Sequence, residues 1–105
     1  MITSLSSVIT PNASLYLRKL CKHWSHKFAV TYNETNGEVD FTADQRVSFL
    51  VHNEMLSVHI AVQEPGVIEK LEEIIAEHLQ RFASKESLTF SWQRDELPGI
   101  TFAAA

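Results

Sequence analysis

Apolar residues recur along this chain with two different periods, and the places where the period changes mark its elements. Ser4 to Ile9 is short and rich in β-formers and ends at Thr10-Pro11, which predicts a first strand. From Thr10 to Phe28 the period becomes helical. Leu17, Leu20, Cys21, Trp24 and Phe28 share one stripe, with Lys19, Lys22, His23 and His26 across from it. Thr10 is placed to cap this helix, and Pro11 stands at its first position, where a missing amide hydrogen costs nothing.

Alternation then takes over. Phe28, Val30 and Tyr32 point one way, Asn33 to Gly37 supplies a turn whose Asn36-Gly37 pair tolerates positive φ, and Val39 and Phe41 continue the pattern. Val47, Phe49 and Val51 follow, then a turn at Asn53-Glu54, then Leu56, Val58, Ile60 and Val62. These runs predict an antiparallel meander with one apolar face. Glu64 to Phe82, entered through Pro65, returns to helical spacing with Val67, Ile68, Leu71, Ile74, Ile75, Leu79 and Phe82 inward and Glu69, Glu72, Glu73 and Glu77 outward. Leu88, Phe90 and Trp92 make a last strand, and residues 94–105 are expected to be a weakly ordered tail. The order β-α-β-β-β-β-α-β predicts an α+β fold, a curved antiparallel sheet of five to six strands with two helices on one face.

At 105 residues the chain suits a single α+β domain spanning 1–105. Its net charge of −4 argues against binding to nucleic acid or to an anionic membrane. That charge is unevenly spread: residues 1–33 carry four Lys/Arg and no acid, and residues 34–105 carry five against thirteen, so the two parts contribute +4 and −8. Only the first part is suited to an anion. The lone Cys21 excludes an internal disulfide framework. The first residues lack the pattern of a signal peptide, and no apolar run reaches membrane-spanning length, so a cytoplasmic location is expected.

Two features could carry chemistry. His78 falls between Ile74, Ile75 and Phe82 near the middle of the apolar stripe, where an imidazole is either a core residue satisfied by a hydroxyl or carbonyl, or a ligand in a pocket between helices and sheet. Arg18, Lys19, Lys22 and Lys27, with His23 and His26, form a basic face that either pairs weakly with the glutamates of the second helix or receives an anion. Cys21 sits roughly 160° from His23 and roughly 140° from His26 on the helical wheel, so Cys21, His23 and His26 cannot converge on one metal. His23 and His26 alone remain a candidate metal pair, opposed by the lysines around them. His52 and His59 lie on or near the outward side of paired strands. No nucleophile elbow, phosphate-binding glycine loop or His-Glu zinc motif is present, which points away from an enzyme.

Residues 10–27, TPNASLYLRKLCKHWSHK, and the later His78-Leu79-Gln80-Arg81-Phe82-Ala83 resemble the family known as domain of unknown function 2218. The markers are a TP-x-A-S-x-Y-L segment, a C-K-H-x-x-H-K helix end and an H-L-x-R-F segment; the chain departs from the pattern at Ser84-Lys85. The resemblance implies a bacterial protein and directs attention to Tyr16, Lys22, His23, His26, Lys27, His78 and Arg81. It also implies a neighbourhood of siderophore-interacting ferric reductases, an association and not a mechanism.

Residues and resemblance together lead to a non-enzymatic binding or accessory domain. Its basic face and the His78 pocket would hold an anionic small molecule, a ferric chelate or the acidic surface of a partner such as a siderophore-interacting reductase. Tyr16, Arg18, Lys19, Lys22, His23, His26, Lys27, His78 and Arg81 are the candidate ligand-binding residues. The alternative is a metal-binding or redox accessory protein using His23 and His26. No cofactor is specified, and an exposed strand edge or an apolar patch around Trp92 leaves a homodimer open.

Overall fold

The computed structural model describes residues 1–96. Along the chain run β1 (Ile2–Ile9), α1 (Ala13–Trp24), β2 (Ala29–Tyr32), β3 (Asn36–Thr42), β4 (Gln45–Val51), β5 (Met55–Val62), a 3₁₀ turn (Pro65–Val67), α2 (Ile68–Phe82) and β6 (Gln93–Glu96). The strands form a six-stranded antiparallel sheet in the order β2-β3-β4-β5-β1-β6, the α+β architecture and element order expected. β2 to β5 are a meander. β1 pairs with β5 along its whole length, from Ile2 opposite Val62 to Ile9 opposite Met55, and β6 adds to its other side.

The inner face of the sheet carries Val8, Val39, Val47, Phe49, Leu56, Val58, Ile60 and Val62, all buried, and the two helices cover it with Leu17, Leu20, Ile75 and Leu79. Removing each such side chain from water contributes about 1.5–3 kcal/mol, which is what holds helices of this length in place. β1 departs from the usual pattern in its middle: Ser4 and Ser6 point inward between Ile2 and Val8 and are buried, while Leu5 and Ile9 are exposed. The inward serines are occupied. Ser4 Oγ donates to Glu72 Oε2 at 2.6 Å, and Ser6 Oγ accepts from the Ser91 amide at 3.0 Å.

Four local expectations are corrected. First, α1 is shorter than 10–28. Thr10 is held in line with β1 by its amide, which donates to the Glu54 carbonyl at 2.9 Å, and its hydroxyl accepts from the Asn12 amide, so Asn12 occupies the capping position and the helix begins at Ala13. Second, Gly37 does not have positive φ. The turn before it is built by Asn33 Oδ1, which accepts from the amides of Thr35 and Asn36, and the left-handed residue lies in the other hairpin at Asn53, φ 56°. Gly37 is needed for packing instead, because a Cβ there would lie 2.8 Å from both Cys21 Sγ and Leu17 Cδ1.

Third, Glu72 is buried, not outward. It shares a stripe with Ile68, Leu71, Ile75 and Leu79 and receives a two-pronged contact from Arg94: Nε to Oε2 at 2.8 Å and Nη2 to Oε1 at 2.6 Å. Arg94 and the Ser4 hydroxyl hold its carboxyl below the usual glutamate range, outweighing the opposing effect of burial. Fourth, the last strand lies at Gln93–Glu96 and not at Leu88 to Trp92. Leu88, Phe90 and Trp92 alternate because they lean half-buried against the core, without a backbone ladder. Arg94 to Glu96, expected in the tail, belong to β6; residues 97–105 lie outside the described residues.

Candidate functional site

Where the C-terminal end of α1 passes over the sheet, its cover ends early and leaves the β3–β4 hairpin partly open. The chain leaves α1 through a tight turn in which the Trp24 carbonyl accepts from the amides of both Lys27 and Phe28, at 3.0 and 2.9 Å. This folds His26 and Lys27 back beside Trp24. On the opposite side, the register of β3 and β4 slips between Asp40 and Thr42, leaving Phe41 as the extra residue of a β-bulge. Phe41 meets Trp24 edge-to-face at 4.9 Å and Phe28 at 4.7 Å between ring centroids.

A cavity of about 760 Å³ lies between these rings and α2. Trp24, Phe28 and Phe41 form one wall, and Val67, Leu71 and Ile74 the other. Around them stand His23, His26, Lys27, Lys70 and His78, with Thr42 and Gln45 completing the lining, and no carboxylate is among these residues. His78 is half-buried on the shoulder of α2, away from the centre of its apolar stripe. Its Nδ1 donates to the Ile74 carbonyl at 2.8 Å, which leaves Nε2 without a protein partner among the described residues. Its ring lies 5.5 Å from that of His23 and 5.2 Å from that of Trp24.

Ion pairs among the described residues use Arg46 and Arg94; the α2 glutamates that take part, Glu69 and Glu72, both pair with Arg94. Neither Lys27 nor Lys70 forms an ion pair with a glutamate of α2 among the described residues. Lys22 and His23 stand in the last turn of α1, where positive charge also offsets the helix dipole.

Of the candidate ligand-binding residues, His23, His26, Lys27 and His78 are brought together around the cavity. Arg18, Lys19, Lys22 and Arg81 are exposed and do not line it. Tyr16 is buried in a separate cluster: its hydroxyl donates to Glu86 Oε2, which also accepts from Thr10 Oγ1 at 3.0 Å and Asn12 Nδ2 at 2.9 Å. The Tyr16 hydroxyl, then Asn12, hold the Glu86 carboxyl below the usual range, and the same contact raises Tyr16. Cys21 faces Gly37 within the core, and burial pushes its thiol up to about 11. His23 and His26 share the cavity lining, but no group of three or more His, Cys, Asp or Glu among the described residues is arranged to hold a metal.

The sequence reading missed Lys70 and the aromatic wall. Lys70 was legible in principle, since Val67, Lys70, Leu71, Ile74 and His78 follow at helical spacing along one side of α2. The bulge that brings Phe41 to Trp24 and Phe28 had no comparable signal.

No described helix is long and apolar enough to cross a membrane. Comparison with curated proteins gives no match. The NMR structure of PA4090 from Pseudomonas aeruginosa is similar to this chain, with 35% identity and a TM-score of 0.75 over 89% of this chain and 96% of that one. The family model for DUF2218, an uncharacterised protein conserved in bacteria, matches residues 5–93. With the motif segments in place and the match spanning nearly all of the described fold, the chain belongs to the DUF2218 family.

Proposed function

We propose that this protein is a non-enzymatic binding or accessory domain whose ligand is an amphipathic organic anion held in the cavity between α1, α2 and the β3–β4 hairpin. The observation that carries this reading is the composition of the lining: apolar walls, two lysines and three histidines at the margin, and no acid. Such a site removes the apolar body of a ligand from water while offering its charged end several donors, and its volume of about 760 Å³ falls within the range usual for small-molecule sites. Two of the three segments that carry the family resemblance, around His23 to Lys27 and at His78, border it.

A negatively charged ferric chelate belongs to the same ligand class, and the resemblance to siderophore-associated proteins makes it the natural biological candidate, with a siderophore-interacting reductase as the partner. The alternative, a metal site on His23 and His26, is less well supported because Lys27 and Lys70 line the same cavity and disfavour a divalent cation. Calorimetric titration with 2-naphthoate, its neutral counterpart 2-naphthalenemethanol and zinc separates these readings. Binding of the acid in clear preference to the alcohol, weakened by Lys27→Glu with Lys70→Glu, supports the anion site. Equal binding of acid and alcohol, or zinc uptake abolished by His23→Ala and His26→Ala with no binding of the acid, overturns it.

A further inference from the structure

We infer that the ligand is a planar aromatic acid and not a flexible or saturated one; this rests on the anion-site reading above and specifies its occupant. The two apolar walls differ in kind. One is built from rings, Trp24, Phe28 and Phe41, and the other from the aliphatic side chains Val67, Leu71 and Ile74. Within the ring wall the contacts are edge-to-face, at 77° between Trp24 and Phe41 and 78° between Phe28 and Phe41. An edge-to-face pair engages one ring's face with the other's rim, so ring surface is left over for a further aromatic partner. His78 and His23 extend the series, with ring centroids 5.2 Å from Trp24 to His78 and 5.5 Å from His78 to His23.

A flat guest gains from this wall what an aliphatic guest of the same carbon skeleton does not, namely oriented ring contacts added to burial of area. The opposite wall supplies only dispersion and accepts either face of a planar molecule. At the margin, Lys27 and Lys70 provide charge for a carboxylate, and the free Nε2 of His78 provides a polar contact beside the ring wall.

The test compares 2-naphthoate with decahydro-2-naphthoate, the same skeleton saturated and no longer flat, in titrations of the full chain at equal pH and salt. The expected result is on the order of tenfold tighter binding of the aromatic acid, as one or two ring contacts provide. Phe41→Leu, which keeps an apolar side chain on the bulge but removes one ring of the wall, is expected to lower that ratio by weakening the aromatic acid more than the saturated one; an unchanged ratio counts against the ring wall as its source. Equal or tighter binding of the saturated acid by the unaltered protein overturns the inference and leaves the anion site standing. Binding of neither acid overturns both.

Discussion

Arg94 of β6 reaches across to α2 and grips Glu72 with two hydrogen bonds of 2.8 and 2.6 Å, fastening the last strand to the helix over the inward-facing Ser4. The carboxyl lies in the core side of α2, while the guanidinium is about half exposed (46%). Because the folded-state pKa of Glu72 is depressed, its contribution is present above the unfolded value and is lost as pH falls through the folded one. Glu72→Gln is expected to lower stability at pH 7 by about 1–3 kcal/mol, the half-exposed partner keeping the loss toward the low end. Its unfolding midpoint should also fall less steeply than the wild type's between pH 6 and pH 3. Thermal melts of both proteins across that interval check the prediction, and parallel slopes would contradict it.

Gly37→Ala places a methyl group 2.8 Å from Cys21 Sγ and Leu17 Cδ1 at the contact between α1 and β3. The expected cost is about 1–3 kcal/mol from overpacking. Combining it with Cys21→Ala removes one of the two clashing atoms, so denaturant titration of the double variant should show a smaller loss than the sum of the single variants. Strict additivity would mean that the two positions do not press on each other.

Cys21 is buried, with its thiol pushed up to about 11, so little thiolate is present at neutral pH. Iodoacetamide at pH 8 should modify it far more slowly than a free thiol, at a rate that rises with denaturant in step with unfolding. Rapid alkylation of the folded protein would contradict the burial of this thiol.

Tyr16 is the largest influence depressing Glu86. Tyr16→Phe should therefore move the Glu86 carboxyl titration upward toward the ordinary glutamate range, measured by carbon-detected NMR. It should also speed amide exchange at Glu86 and Leu88, whose backbone bonds lie in the same corner. An unchanged Glu86 titration would show that Asn12 and Thr10 hold it unaided.

Much of this architecture was legible because two periods, 2 and 3.6, each answer to one covered sheet face. Val39, Val47, Phe49, Val58 and Ile60 alternate as a sheet covered on one side requires, and Leu17, Leu20, Ile75 and Leu79 fall on the helix stripes that cover them. The exceptions share a cause. Ser4, Ser6 and Glu72 are polar residues at inward positions, and reading polarity as exposure misplaces them, since a partner elsewhere in the chain decides burial. Glu72 in particular follows Ile68 by four residues and precedes Ile75 by three, so spacing alone placed it inward.

The site was legible in part. The basic, histidine-bearing end of α1 and the position of His78 on α2 pointed to a common region, and the fold joins them at His23 and His78. What local pattern does not contain is the third side of the cavity. Phe41 reaches Trp24 and Phe28 through a slip in pairing between β3 and β4, a property of the register and not of either strand's composition. Conversely, Arg18, Lys19 and Lys22 belong to the basic face in sequence but not to the cavity, because of α1 only its last residues, His23 and Trp24, and the turn beyond it reach the lining.

The most direct test of the central claim is to titrate uniformly ¹⁵N-labelled protein with 2-naphthoate and follow amide chemical shifts residue by residue. Shifts should concentrate at His26, Lys27, Thr42, Lys70 and His78, saturate together, and be strongly reduced in the Lys27→Glu, Lys70→Glu variant. Shifts scattered over the open face of the sheet or along Arg18 to Lys22, or a cavity response that the charge reversals leave intact, would contradict an anion site between the helices and the hairpin.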